Sequence, residues 1–416
     1  MYQDFIVALN KKYNCSDMSE LQGLDLQHYT FASSTNKRAI DAIAVFEAYG
    51  FDLDGMRILD VGCAYGGFSI EAAKKGAYSY GIEISEPLYE FACLNNQNEV
   101  YEKGSCKFIL TDATSPDCIE KLPNNYFDLI IVNDVFEHVY DTIQLMNNLS
   151  ILGNEKAVIY FAIPNGNDMR FIAREGHSGH PGLSLIRPLS WCKLTKDKYW
   201  NIYYRQFEYY KAIFSFYGFN TIIPINYPGY MNKDEATSAI FNEYQITKNN
   251  IWDNEATFPQ EYKNELNSCL SSFDKQLKYD LDKLSSTELC WKYMTGFWAG
   301  FAHRNILQLD PPIITTQRRN SAENNDAVHF SLKRNDDKLS LDIYCDFDTS
   351  DYEFAYHLMM TRQPKSLERS HYIEDMHYEW QLKAQGMYGA AIYVKHKEHE
   401  HKDYRILTQP LYYSGQ

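Results

Sequence analysis

Short apolar runs alternate with amphipathic stretches between about residues 35 and 226. This alternation is typical of a mainly parallel, doubly wound α/β sheet of Rossmann-like type. Gly76 predicts the end of the helix that follows Gly67, and Ser85 with Pro87 predicts the start of the next helix. The apolar runs predict six strands, at 57–61, 78–84, 107–110, 127–133, 157–163 and 219–225.

The alternation stops between residues 166 and 200, where Gly, Pro, His and Arg replace the apolar runs. A stretch of this length is too long for a plain connection, so it predicts a lid or a binding loop. From Lys233 to about Asn305 the sequence is aromatic and has a helical period, which predicts a helical extension. We therefore expect an α/β domain over 1–232 with a lid insertion near 166–200, followed by a helical extension over 233–310.

A different period governs the end of the chain. Pro311-Pro312 and the polar run QRRNSAENND indicate a linker. Beyond it, apolar residues occupy every second position in six runs that are separated by polar turns, which predicts an antiparallel β-sandwich over 325–416. The six runs start near Val328, Leu339, Tyr352, Tyr378, Tyr388 and Tyr404.

Charge and cysteine content narrow the possible partners and compartments. The formal net charge of -15 argues against a nucleic-acid partner, because proteins that bind the phosphate backbone usually carry a basic patch. Nine cysteines without a CxxC pair indicate neither a disulfide framework nor a zinc knuckle, and they favour a reducing, cytoplasmic location. The N-terminal sequence resembles no signal peptide, and no run approaches the length of a membrane span.

The stretch RILDVGCAYGGFSIEAAKKGAYSYGIEIS contains a glycine-rich turn between two strands. Gly62, Ala64 and Gly67 nearly match a dinucleotide fingerprint, and Glu83 follows at the distance of a ribose-binding acid. Asp60 favours a different ligand, because a carboxylate at the end of the first strand would repel a pyrophosphate but attract an ammonium group. A Rossmann-like domain that binds another nucleotide, or none, remains the alternative.

These residues resemble motif I of class I S-adenosylmethionine-dependent methyltransferases, commonly LDVGCGxG, with Ala64 in place of the second glycine. The resemblance covers about 190 residues. It implies that Glu83 binds the ribose, that Asp112 with Ala113 lies on the adenine side, and that Asn133 and Asp134 border the methionine and its methyl group. The cofactor-binding residues implied in this way are Asp60, Gly62, Cys63, Ala64, Gly66, Glu83, Ile84, Asp112, Ala113, Asn133 and Asp134.

Methyl transfer is an in-line displacement, so the enzyme must align the acceptor and, for a hydroxyl, remove a proton. The candidate bases are His138, which follows the turn that borders the cofactor, and His177 and His180 in the insertion. Each histidine also has a structural interpretation, since it can brace a helix start or order a loop. An acidic acceptor would need no base.

Three arginines in the insertion, Arg170, Arg174 and Arg187, could hold a phosphate or carboxylate of the acceptor. The alternative is that they are solvated surface charges. His396, His399 and His401 lie between two predicted strands among Lys and Glu residues, which is typical of an exposed hairpin. We therefore expect no metal site.

The stretches DYEFAYHLMM and HYEWQLKAQGMYGAAIYV resemble small Ig-like sandwich modules of bacterial polysaccharide- and glycan-modifying enzymes. This resemblance favours a carbohydrate acceptor, although the sandwich could instead pair subunits into a homo-oligomer. The first hypothesis is an O-methyltransferase that acts on a sugar or sugar-phosphate group of a bacterial surface glycan or its activated precursor. The alternatives are N- or O-methylation of another small metabolite, and an inactive carbohydrate-binding or scaffold protein, which Ala64 supports.

Overall fold

The computed structural model describes residues 3–177, 179–186, 202–225, 232–251, 259–304, 328–335, 337–345, 348–360, 366–384, 386–398, 404–407 and 411–413. The chain divides into two compact units. The first unit comprises 1–135 and 148–160, and the second comprises 136–147 and 161–416. The predicted linker, His399 and His401 lie outside the described residues.

Four parallel strands form the sheet of the first unit. Strand β1 is Arg57–Val61, β2 is Tyr78–Glu83, β3 is Ser105–Leu110 and β4 is Phe127–Asn133; β1 pairs with β2 and β4, and β2 pairs with β3. Most of β1 and β4 is buried, as expected for parallel strands whose two faces are covered. The helices of this unit are Gln3–Lys12, Gly23–Ser33, Thr35–Ala48, Gly67–Lys74, Glu86–Asn96 and Pro116–Lys121.

Three further strands belong to the same sheet. Strand β5 is Gly153–Pro164 and contributes residues to both units, β6 is Thr221–Pro224 and β7 is Phe297–His303. The complete seven-stranded sheet has the order β3-β2-β1-β4-β5-β7-β6. The helical prediction for the sequence of β7 was wrong, because this segment pairs antiparallel with β6. Seven residues are too few to distinguish a buried strand from a helix by period, and pairing with β6 decides the outcome. The predicted doubly wound sheet is otherwise confirmed.

The helical extension packs against part of the predicted lid. Leu183 and Leu185 share one buried apolar cluster with Leu266 and Leu270 of the extension, so this part of the insertion is anchored. None of the helices in the described ranges is long and apolar enough to cross a membrane. The remaining helices are Thr142–Leu152, Met169–Ala173, Phe207–Phe216, Lys233–Asn250, Gln260–Lys283 and Ser286–Tyr293, with short 3₁₀ helices at Met18–Glu20, Phe136–His138 and Leu183–Leu185.

The C-terminal strands form small antiparallel sheets, as predicted. In chain order, β8 to β15 are Val328–Asn335, Lys338–Cys345, Tyr352–Met360, Glu368–Arg369, His377–Gln381, Gly386–His396, Tyr404–Leu407 and Leu411–Tyr413. Strands β11 and β15 are additional to the six predicted. One sheet has the order β11-β10-β13-β14 with β15 paired to β13, and the other has the order β12-β9-β8. Apolar side chains of both sheets, such as Leu341 and Trp380 from one and Tyr356 and Ile392 from the other, share one buried cluster.

Candidate functional site

The turn after β1 is held against the end of β2. The backbone N–H groups of Gly62 and Cys63 both donate to the carbonyl oxygen of Ile82, at 2.8 and 3.0 Å. Gly62 and Gly66 have φ values of 67° and 75°, in the left-handed region that glycine adopts without strain. A Cβ atom on Gly66 would lie 2.5 Å from the Phe108 ring, so the turn also needs glycine there for space.

Ala64 occupies the same left-handed region, with φ of 48°. This alanine departs from the methyltransferase motif, and its backbone conformation shows why glycine suits the position. A left-handed residue with a Cβ costs roughly 1–2 kcal/mol. The turn therefore forms with alanine, at the expense of some stability.

The carboxylate of Glu83 connects this turn to the residue that follows β2. Its Oε2 accepts the backbone N–H of Ala64 at 3.0 Å, and its Oε1 accepts the backbone N–H of Ser85 at 2.8 Å. The Glu83 side chain is buried, whereas its neighbour Ile84 is 66% exposed. Two backbone amides thus fix the carboxylate in place, next to an apolar side chain that is open to solvent.

Asp60 lies near the end of β1 and is buried, with 5% of the residue exposed. Its Oδ2 accepts the hydroxyl of Ser69 at 2.8 Å. Loss of hydration on burial raises the pKa of Asp60 from its usual 3.8 to about 7, although the Ser69 bonds act in the opposite direction. Its charge therefore depends on pH near neutrality. Sequence reasoning did not identify Ser69 as the partner.

The other cofactor residues implied by the resemblance lie at the end of β4 and in the turns after β3 and β4. Asp112 Oδ1 accepts both the backbone N–H and the hydroxyl of Thr114 at 2.8 Å, which fixes this turn locally. The Ala113 carbonyl accepts the amide of Asn148 at 2.8 Å. Asn133 donates its amide to Asp134 Oδ2 at 2.9 Å, and Asp134 has φ of 53°. Burial raises the pKa of Cys63 well above its usual 9.0, so a reactive thiolate is not favoured there.

Two of the three candidate bases are adjacent within the second unit. The imidazole rings of His138 and His177 are 5.2 Å apart between centroids and nearly perpendicular, at 87°. His138 ends the 3₁₀ helix Phe136–His138 and lies beside the buried carboxylate of Glu137, with 3.7 Å between Nε2 and Oε1. The resemblance implied a base at His138, but sequence reasoning did not identify its acidic neighbour.

Glu175 fixes the orientation of His177. Its Oε1 lies 2.7 Å from His177 Nδ1, and its Oε2 accepts the backbone N–H of His177 at 3.0 Å. The Tyr204 hydroxyl also donates to Oε1 of Glu175, whose side chain is completely buried. His180 belongs to the same turn, because its carbonyl oxygen accepts the backbone N–H of Glu175 at 3.1 Å. A buried carboxylate and a tyrosine thus support His177, and neither was predicted.

Arg205 supports the segment that carries His138. Its guanidinium donates to the carbonyl oxygens of Phe136, Val139 and Tyr140, at 3.3, 3.0 and 3.0 Å. The residue is buried, so these bonds replace hydration that the cation lost. No residue pattern predicts this role, because the partners are backbone atoms about 65 residues earlier.

The arginines of the insertion have different environments. Arg170 is paired with the buried carboxylate of Asp168, through Nε to Oδ1 at 2.9 Å and Nη2 to Oδ2 at 2.8 Å. This pairing neutralises much of the charge that an anionic acceptor would need. Arg174 is exposed on the same segment, and Arg187 lies outside the described residues.

Comparison with known proteins supports this assignment of the first part of the chain. Residues 27–222 match the family model described as "Methyltransferase domain". A ubiquinone biosynthesis O-methyltransferase of Leptothrix cholodnii is 26% identical over 156 residues, which cover 34% of this chain and 64% of that protein. A magnesium-protoporphyrin O-methyltransferase of Synechocystis sp. is 28% identical over 130 residues, covering 30% of this chain and 53% of the relative. The chain thus spans about half to two thirds of the length of these curated relatives.

Among solved structures, magnesium protoporphyrin IX methyltransferase from Synechocystis with bound S-adenosylhomocysteine aligns with a TM-score of 0.35 and 16% identity, over 54% of this chain and 88% of that one. This level of structural similarity carries no argument about function. The family match over residues 27–222 carries such an argument, and it confirms the predicted methyltransferase domain. Over residues 27–222 the chain therefore carries a methyltransferase domain.

Proposed function

We propose that the protein is an O-methyltransferase that transfers the methyl group of S-adenosylmethionine to a hydroxyl of its acceptor. The observation that carries this proposal is the carboxylate of Glu83, which two backbone amides hold at the glycine-rich turn. Each of its oxygens can accept a second hydrogen bond, which suits the paired hydroxyls of a ribose. The exposed side chain of Ile84 offers an apolar surface for the adenine.

The same turn offers a carboxylate for the ammonium group of the cofactor, at Asp60. Because burial raises the pKa of Asp60 to about 7, an ammonium ligand must draw the group into its charged form. Binding would then release a proton below neutral pH. S-adenosylmethionine, when bound, supplies an electrophilic methyl group, and Asp112, Asn133 and Asp134 would complete its site.

The histidine pair supports a hydroxyl acceptor. Glu175 accepts from His177 Nδ1, which leaves Nε2 as the nitrogen that can take a proton from an acceptor. This is the arrangement of a general base with an orienting carboxylate. His138 is the second candidate, and His180 the third.

The acceptor we favour is a sugar or sugar-phosphate group of a bacterial surface glycan or its precursor. Its support is the resemblance of the C-terminal segment to Ig-like modules of glycan-modifying enzymes. The names of the curated relatives, which concern ubiquinone biosynthesis and magnesium-protoporphyrin, support a small-molecule acceptor as the second candidate. Within the favoured class of acceptor, the pairing of Arg170 with Asp168 favours the sugar over the sugar-phosphate group.

Two measurements test the proposal. Calorimetric titration with S-adenosylmethionine should show one site, and absence of binding by the folded protein would support the inactive scaffold instead. Transfer of labelled methyl groups should then be assayed with nucleotide-sugars, glycan extracts and phenolic small molecules. Label in the phenolic compounds alone would refute the glycan acceptor but retain the O-methyltransferase.

A further inference from the structure

Three potential metal ligands lie together in the second unit. One ligand atom each from Glu137, His138 and His177 falls within 4.8 Å of the other two, and no other such group occurs in the described ranges. Two imidazoles and a carboxylate form a donor set that suits divalent transition metals and that leaves a position open for a further ligand. We propose that these three residues bind a divalent cation of the Zn²⁺ type.

The spacing of Glu137 and His138 is close to that of two ligands around one ion. Glu137 Oε1 and His138 Nε2 are 3.7 Å apart. Ligands bound to zinc at about 2.1 Å lie about 3.4 Å from each other in a tetrahedral site. The Glu137 carboxylate is buried, whereas His138 and His177 are each about one third exposed, at 37% and 33% of their side chains. A cation can therefore reach the site from the histidine side.

The surroundings of His177 supply an independent argument. Histidine ligands usually donate their second ring nitrogen to a carboxylate, which fixes the ring and raises its basicity. Glu175 holds this position at His177 Nδ1, at 2.7 Å, and Glu175 is itself bonded by the Tyr204 hydroxyl and by the His177 backbone N–H. The ring is thus oriented, with Nε2 left for the metal.

A cation in this position would change the role of the histidines. A ring nitrogen that binds a metal cannot accept a proton, so the cation would lower the pKa of a bound hydroxyl instead. This part of the inference rests on the proposed function, whereas the metal site itself does not. The site departs from the sequence-based expectation of no metal.

The test measures Zn²⁺ binding to the full chain after treatment with a chelator, by calorimetry and by metal analysis after dialysis. Wild type should retain one Zn²⁺ that His177→Ala loses, with affinity reduced at least about 100-fold, while Glu175→Gln should lose about 10- to 100-fold. His377→Ala is the matched control: that histidine also pairs with a carboxylate, with Nδ1 2.7 Å from Asp342, and its removal should leave the bound zinc unchanged.

A parallel variant in which His396, His399 and His401 are changed to Ala separates this site from the histidine-rich C-terminal segment. Zinc that disappears in this variant and persists in His177→Ala would overturn the proposal, as would no retained zinc in wild type. S-adenosylmethionine binding, measured on every variant, shows whether the protein is folded and reports on the proposed function separately. Normal cofactor binding without zinc would refute the metal site alone.

Discussion

Buried carboxylates are held differently in two regions: the glycine-rich turn of the first unit and the histidine pair of the second. The regions differ in how far along the chain the hydrogen-bond partners lie. Glu83 is bonded to backbone amides 19 residues before it and two residues after it. Glu175 is hydrogen-bonded to its neighbour His177 and to Tyr204, which is 29 residues away. The segment of His138 likewise depends on Arg205, more than 60 residues later.

This difference shows which part of a site can be predicted from a sequence motif alone. In the turn, the functional groups are backbone amides and one acid within a strand-turn-helix-strand unit, so their geometry follows from local structure. In the histidine pair, Glu175 lies two residues from His177, but the other supporting groups, Tyr204 and Arg205, are side chains from a separate segment. We therefore expect substitutions in the turn to alter cofactor binding, and substitutions around the histidines to alter stability and turnover while leaving cofactor affinity unchanged.

The largest effect is expected from Asp60→Asn. The pKa of Asp60 in the folded protein, about 7, lies above its usual 3.8, so its contribution to stability is complete in acid and is lost as the pH rises through about 7. Wild type should therefore lose up to about 4 kcal/mol relative to the Asn variant between pH 4 and 8, at about 1.4 kcal/mol per pKa unit. Urea unfolding of both proteins across this pH range measures the difference in their free energies of unfolding. Parallel pH profiles would contradict the buried, protonated carboxyl.

Glu83→Ala should weaken S-adenosylmethionine binding by about 1.5–3 kcal/mol, or about 10- to 100-fold, because it removes the proposed ribose acceptor and its two amide partners lose their bonds. Calorimetric titration measures the affinity. Glu83→Gln, which keeps one acceptor oxygen, should lie between wild type and Glu83→Ala. Unchanged affinity in both variants would refute the ribose assignment.

Arg205→Ala should lower the free energy of unfolding by about 2 kcal/mol, since three backbone carbonyls lose a charged donor. Arg205→Lys should recover part of this loss, and turnover should fall in both variants while cofactor affinity stays constant. Thermal unfolding with parallel titration makes the measurement. Arg174→Ala, an exposed arginine of the same unit, is the control and should change stability by less than about 0.5 kcal/mol. Weaker binding of S-adenosylmethionine by Arg205→Ala would contradict the distinction between the two regions.

The smallest effect is expected from Ala64→Gly, which should raise the free energy of unfolding by about 1 kcal/mol by relieving the left-handed conformation at φ of 48°. Ala113→Gly is a suitable control, because Ala113 is not among the residues with positive φ and glycine there should lower stability. Denaturant unfolding compares the two. Equal destabilisation by both substitutions would show that Ala64 is not strained.

Much of the fold followed from the pattern of the chain. The predicted bounds of β1 and β4 are confirmed, and those of the other predicted strands of the large sheet differ by one to four residues at an end. The antiparallel sheets at the C-terminus were also predicted, since alternation with a period of two is a strong signal. Strand β7 was missed, because its short apolar run lies in a helical context and its partner β6 is more than 70 residues earlier.

The sequence by itself determined the methyltransferase domain and the positions of Asp60, Gly62 and Glu83. A turn with positive φ favours glycine, and an acid at a strand end is visible as a residue type, so both features can be recognised from nearby residues. Only the tertiary structure decided that Asp60 is buried against Ser69, that His138 and His177 meet, and that Tyr204 and Arg205 support the segments that carry them. The physical reason is that burial and long-range hydrogen bonds depend on which distant segments pack together, and no single segment carries that information.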